Sequence, residues 1–189
     1  MHQSAFETFE TAAEWRKWLL EHHADRTGVW IRIFKKGLDA RTVTYAEALD
    51  EALCFGWIDG QKKAYDETSW LQKFTPRRPK SMWSKRNREH VARLIEEQRM
   101  TPAGLAAVES ARKDGRWDDA YDAPSTMDVP DDFLNELKKD PRAYAFFKTL
   151  NRANTYAIAW RLQTARKPQT RARRMEALLA MMRQGKKLH

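Results

Sequence analysis

Residues 74 to 89, FTPRRPKSMWSKRNRE, gather six basic side chains, two prolines and a tryptophan in one short segment. Arginine forks bind phosphate and carboxylate oxygens bidentately, and an indole beside them offers a face on which a base can stack. Arg77, Arg78, Lys80, Lys85, Arg86 and Arg88 therefore describe one of two things. They form either an anion-binding rim or a solvated connection whose guanidiniums pair with local carboxylates. A helix starting near Ser84 would add backbone amides to any anion held there. The stretch CFGWIDGQ, residues 54 to 61, is a second candidate. Gly56 and Gly60 permit close backbone approach, Trp57 offers a flat face and Asp59 an acceptor. The opposing reading makes this a helix end feeding a strand, with Trp57 in the core and Asp59 paired to a lysine. Taken together, the two stretches predict a ligand-facing set of Trp57, Asp59, Arg77, Trp83, Lys85 and Asn87, serving an anionic small molecule or an acidic protein segment.

A third candidate lies near the C-terminus, where Arg166, Lys167, Arg171, Arg173, Arg174, Lys186 and Lys187 surround Met175, Leu178, Leu179 and Met182. A basic amphipathic helix can meet nucleic acid or an anionic membrane, or it can be the outer face of a helix docked on its own core. A nucleic-acid-binding alternative uses Arg77, Arg78, Lys80, Arg86 and Arg88 together with Arg173 and Arg174. No helix–turn–helix spacing or other recognised motif frames these residues.

Catalytic constellations are absent from the pattern. His2, His22, His23, His90 and His189 are scattered, and Glu47, Asp50 and Glu51 share one helix side as a solvated acidic face would. There is no phosphate-cradling glycine loop, no Gly-x-Ser-x-Gly and no zinc-ligand spacing. Cys54 is the only cysteine and reads as a small buried hydrophobe. No catalytic residue, metal or cofactor is assigned, and the expectation is a non-enzymatic protein.

The elements that must position these residues follow from caps and periodicity. Thr11–Glu14 and Thr44–Glu47 are capping boxes. The first opens a helix carrying Trp15, Trp18, Leu19 and His22. The second opens one carrying Tyr45, Ala48, Leu49, Ala52 and Leu53, stopped by Gly56. VWIRIF, residues 29 to 34, reads as a strand with Val29, Ile31 and Ile33 on one face. Residues 57–65 and 68–74 read as a hairpin turning at Asp66-Glu67, with Gly60 a candidate bulge. Phe6 and Phe9 fit a short first strand. From residue 81 onward the pattern is helical, with starts at Ser84, Thr101-Pro102, Val129-Pro130, Asp140-Pro141, Asn151 or Asn154, and Pro168. The Asp-, Pro- and Ser-rich span from Asp114 to Met127 is the predicted mobile linker. The expected fold is α+β: a small antiparallel or mixed β-sheet with helices in the N-terminal half, and an all-helical C-terminal half. Expected boundaries are a sheet-containing region over 1–80 and a helical region over 81–189, with a terminal helical module at about 130–187.

At 189 residues and 42% hydrophobic, the chain suits one globular domain, or one domain plus a helical annex. The net charge of +9 is uneven: residues 77–99 carry about +5, 100–141 about −5, and 142–189 about +11. No apolar run reaches the ~18 residues needed to cross a bilayer. The start, MHQSAFETFETAAEW, is acidic where a secretory leader is basic, and a lone cysteine suits a reducing compartment, so a cytoplasmic location is expected.

The run TYAEALDEALCFGWIDGQKK, then FTPRRPKSMWSKRNRE and MTPAGLAAVESARKDGRW, resembles the YdeI/OmpD-associated, or bacteriocin-protection, family. YAIAWRLQTARKPQTRARRMEALLAMM resembles that family's terminal helical module, and the likeness extends over residues 28 to 187. One departure is Asn151-Arg-Ala-Asn154, where the family pattern leads us to expect a serine–x–arginine-like start. The resemblance implies an accessory role in stress or in tolerance of bacteriocins and antimicrobial peptides. It implies no catalytic residue and no cofactor.

Overall fold

The computed structural model describes residues 6–25, 27–38, 40–122 and 126–189, so His2 lies outside the described residues. The chain divides into two compact units, Met1–Ala120 and Tyr121–His189.

In the first unit, helix α1 (Ala12–His22) starts where Thr11 Oγ1 accepts the Glu14 amide at 3.2 Å. The Glu14 carboxylate accepts from the Glu10 amide, not that of Thr11, so this box is half closed. Strand β1 (Val29–Phe34) follows, burying Ile31 and Ile33 as alternation requires. Helix α2 (Tyr45–Cys54) has both bonds of its box, Thr44 N to Glu47 Oε2 at 2.8 Å and Glu47 N to Thr44 Oγ1 at 3.3 Å. It ends at Gly56, whose φ of +74° supplies the left-handed turn that a Cβ would resist.

Strands β2 (Trp57–Ala64) and β3 (Ser69–Pro76) complete an antiparallel sheet of order β1-β3-β2. The β2–β3 register shifts between Asp59 and Lys62, a bulge around Gly60. The expected strand at Phe6–Phe9 is reduced to one parallel bridge between Glu7 and Ile31. Helices α3 (Lys85–Glu96) and α4 (Pro102–Lys113) start on Ser84 and Thr101, each accepting the amide three residues on. On α3, Val91 and Leu94 are buried, but Ile95 is 37% exposed and faces outward.

The core beneath the sheet holds Trp15, Leu19, Ile31, Ile33, Leu49, Leu53, Trp57, Phe74, Trp83, Val91 and Leu94. The span expected as a linker is partly core: Trp117 and Ala120 are buried with this cluster. Arg116, also buried, donates to Asp114 and to the Ser81 carbonyl. Only residues 123–125 of that span lie outside the described residues.

The second unit is helical: α5 (Asp131–Lys138), α6 (Pro141–Lys148), α7 (Arg152–Gln163) and α8 (Pro168–Arg183). Phe133, Leu137, Ala143, Ile158, Leu162, Leu178 and Met182 form its core. The Asn151–Asn154 departure has a structural use. Asn151 caps α7, and buried Asn154 accepts the Leu188 and His189 amides at 2.9 and 3.1 Å, tying down the chain's end. The fold is α+β, and among the described residues no helix is long and apolar enough to cross a membrane.

Candidate functional site

The end of β3 carries Lys73 and Thr75, and Arg77 follows just past the strand. With Arg78, Pro76, Pro79 and the α1–β1 loop residues Ala24 and Thr27, they line a cleft of about 550 Å³. The described lining residues include three cations and no carboxylate. Arg77 is held in place. Its guanidinium lies 3.5 Å from the centre of the Trp83 ring, Nη1 donates to the Met82 carbonyl at 3.1 Å, and its amide donates to the Gly56 carbonyl. Cation–π packing against a desolvated indole removes rotamer freedom before any ligand arrives. Arg78 is exposed at the rim, and its amide is fixed by Ser81 Oγ at 2.9 Å.

A second cleft, of about 480 Å³, opens on the far side of the Trp83 cluster. It is lined by Lys85, Arg88, Glu89, Ala92, Arg112 and Trp117. Trp83 meets Trp117 edge to face at 5.0 Å, and the Arg88 and Arg112 guanidiniums lie 5.3 and 5.2 Å from the Trp117 ring. A ladder of Arg77, Trp83, Trp117 and the Arg88–Arg112 pair therefore joins the two clefts.

The structure separates the ligand-facing set expected from sequence. Arg77 belongs to the first cleft and Lys85 to the second. Trp57 is 0% exposed and donates from Nε1 to the His23 carbonyl at 2.9 Å; Trp83 is 1% exposed beneath Arg77. Asp59, half-buried, accepts from Tyr45 Oη at 2.9 Å and not from a lysine. Asn87 is buried in the first turn of α3. Of the nucleic-acid set, Arg78, Lys80, Arg86 and Arg173 are exposed and Arg88 is half-buried. Arg174 donates from Nη1 to the Arg161 carbonyl at 2.7 Å, capping α7. Its neighbour Arg171 forms a bidentate pair with Asp132 at 2.6 and 2.9 Å.

Sequence reasoning missed Lys73, Arg112 and Trp117. Lys73 had a usable signal, since it lies on the strand that leads into Arg77; the other two come from α4 and from the segment read as a linker.

The acidic face expected of Asp50 and Glu51 is instead internal. Glu51, 5% exposed, accepts from Arg16 at 2.7 Å and Arg99 at 2.6 Å. Arg99 and Arg93 share Glu97, and Arg93 and His90 share Asp50. Each carboxylate is paired with at least one guanidinium, which makes this network a brace between α1, α2 and α3. Burial, with the Glu51 charge adding, pushes the Cys54 thiol up to about 11, so it stays protonated at neutral pH and is a poor nucleophile. Among the described residues, no group of three or more His, Cys, Asp or Glu side chains is placed to hold a metal ion.

Residues 7–107 match a family model described as a domain of unknown function (DUF8412). The chain belongs to that family. Residues 126–185 match a second model, described as Bacteriocin-protection, YdeI or OmpD-Associated, so α5 to α8 form a domain of that relationship. No curated protein and no solved structure matches the chain. The Lys73–Arg77–Arg78 cleft falls wholly inside the DUF8412 span, whereas Arg173 and Arg174 belong to the YdeI/OmpD-associated domain.

Proposed function

We propose that the DUF8412 unit is a non-enzymatic binding module for oxyanions, presented by an anionic small molecule or an acidic protein segment, within an accessory protein of the YdeI/OmpD-associated type. The observation that carries this reading is the cleft with Lys73, Arg77 and Arg78 and no carboxylate among its described lining residues. Three cations around one concavity raise the local potential toward anions beyond what the net charge of +9 implies. Arg77, its Nε and Nη2 sealed against Trp83, contributes its charge from the wall, while Arg78 and Lys73 close around the ligand. Trp83 supports Arg77 from behind, and Lys85 serves the second cleft.

The tolerance of bacteriocins and antimicrobial peptides implied by the family's description is, on this reading, indirect. A strongly basic chain repels a cationic peptide within a Debye length of about 8 Å at physiological salt, so sequestration by direct charge pairing is disfavoured. A cytoplasmic site of action belongs to the same proposal and suits a lone, buried thiol.

Calorimetric titration of the full chain with pyrophosphate tests the cleft. Arg78→Ala and Lys73→Ala are each expected to weaken binding about tenfold, the scale of one charge-assisted hydrogen bond. Arg173→Ala, in the other unit, is expected to leave it unchanged. Wild-type affinity in both cleft variants would rule the assignment out.

A further inference from the structure

The sheet has a second face, opposite the core, whose composition differs from that of an ordinary solvated surface. In register across it stand Trp30 opposite Lys73, Arg32 opposite Leu71, and Lys63 opposite Leu71 from the other side. The Lys63 ammonium rests 4.2 Å from the centre of the Trp30 ring, and that of Lys73 at 5.7 Å. Phe34 and Tyr65 continue the face beyond Arg32, whose guanidinium lies 4.4 and 5.0 Å from their rings. Tyr65 is 48% exposed, Trp30 and Phe34 are half-buried, and Lys63 is exposed.

The two ends of this face differ in charge. At the hairpin end, Arg32 is paired with Asp66 at 2.7 Å, so its charge is already met. At the other end, Lys63 and Lys73 have no carboxylate partner among the described residues, and Lys73 is also a wall of the Arg77–Arg78 cleft. Lys73 therefore joins an aromatic surface to a cationic concavity. A strand advances about 3.4 Å per residue, so Lys73 and Pro76 stand about 10 Å apart along β3, and Arg78 lies beyond the strand's end. A single mononucleotide is too short to cover both an indole opposite Lys73 and the exposed rim at Arg78.

We propose that this face is a platform for single-stranded nucleic acid, with a base stacked on Trp30, its phosphates met by Lys63 and Lys73, and the strand continuing into the Arg77–Arg78 cleft. The proposal deepens, and rests on, the reading of that cleft as an oxyanion site. Base–aromatic stacking accepts any base because every base has a π-face, and it outweighs the exposed cation–π contact that Lys63 gives up as it turns to a phosphate. Duplex nucleic acid keeps its bases stacked inside, out of reach of a flat sheet, so the single strand is the favoured form. An acidic peptide matches the lysines but brings nothing to lie on the indole.

The test uses the full chain and four probes: a short fluorescent oligothymidylate, an abasic oligonucleotide of the same length, a duplex, and a glutamate-rich peptide of equal charge. The oligothymidylate is expected to bind at least about tenfold more tightly than the abasic strand, with affinity falling steeply as salt is raised. Trp30→Ala is expected to remove that advantage while leaving pyrophosphate binding at the cleft intact. Arg78→Ala is expected to weaken both. Equal binding of the base-bearing and abasic strands, or of the peptide or the duplex and the single strand, would overturn the platform while leaving the cleft standing. Loss of pyrophosphate binding altogether would instead remove the cleft, and the platform with it. The abasic comparison needs no variant, so a misfolded Trp30→Ala protein would not spare the proposal.

Discussion

At the scale of single residues, the ionisable groups divide into those paired within the fold and those that the proposed function assigns to a ligand. Cys54 and Glu51 belong to the first class. With its thiol pushed up to about 11 and its side chain sealed, Cys54 is expected to react with iodoacetamide at pH 8 about a hundredfold more slowly than in the urea-unfolded chain. Mass spectrometry of timed aliquots reads this directly, and rapid native labelling would contradict the burial. Glu51 holds two guanidiniums that are each about a third exposed, Arg16 at 34% and Arg99 at 35%. Glu51→Gln strands both beside a neutral amide. The expected cost is about 2 kcal/mol by urea denaturation, below the usual range for a fully buried pair because water still screens the arginines. A change under a few tenths would mean that the brace is decorative.

At the scale of elements, the local signals were legible and the distant ones were not. The Thr44–Glu47 box, the alternation in residues 29–34 and the bulge at Gly60 each depend on residues within a few positions, and each appears where the sequence puts it. The pairing of Asp50 and Glu51 was invisible because their partners arrive from α1, α3 and the segment after α3. Trp117 was invisible because its neighbours are Asp and Gly, the composition of a loop, while its ring packs against Trp83. The candidate site was half legible for the same reason. A run of basic residues names its members but not which side of the Trp83 cluster each one takes.

Where α4 meets the end of α2, the fold depends on a missing side chain: a Cβ on Gly104 would sit 2.2 Å from the Cys54 carbonyl oxygen. That carbonyl is in turn the acceptor for the Thr101 amide and hydroxyl at 3.0 and 2.7 Å. Gly104→Ala, normally favourable in a helix, is therefore expected to destabilise the first unit by about 2–3 kcal/mol in thermal or urea melts. A neutral or stabilising result would show that α4 does not lie so close.

At the scale of the whole molecule, charge sets how stability depends on pH. Asp132 is held below its ordinary value of 3.8, chiefly by the hydrogen bonds from Arg171, and Glu97 below its ordinary 4.5, chiefly by that from Arg93. Depressed carboxylates contribute stability that is complete above their unfolded values and is lost as pH falls through the folded ones. The melting temperature is thus expected to stay level from neutral pH to about pH 5 and then decline below the 4.5 and 3.8 marks. Arg171→Ala should flatten the part of the decline that belongs to Asp132. A profile that falls between pH 7 and 6 would point to histidine instead.

The proposed function rests on the concave cluster of Lys73, Arg77 and Arg78 acting as an anion grip. Its most direct test is the salt-dependent titration of pyrophosphate into wild-type protein and into the Lys73→Ala, Arg78→Ala double variant. The expected result is saturable binding that weakens with salt and drops by about a hundredfold when both cations are removed. Identical isotherms for the two proteins would contradict it.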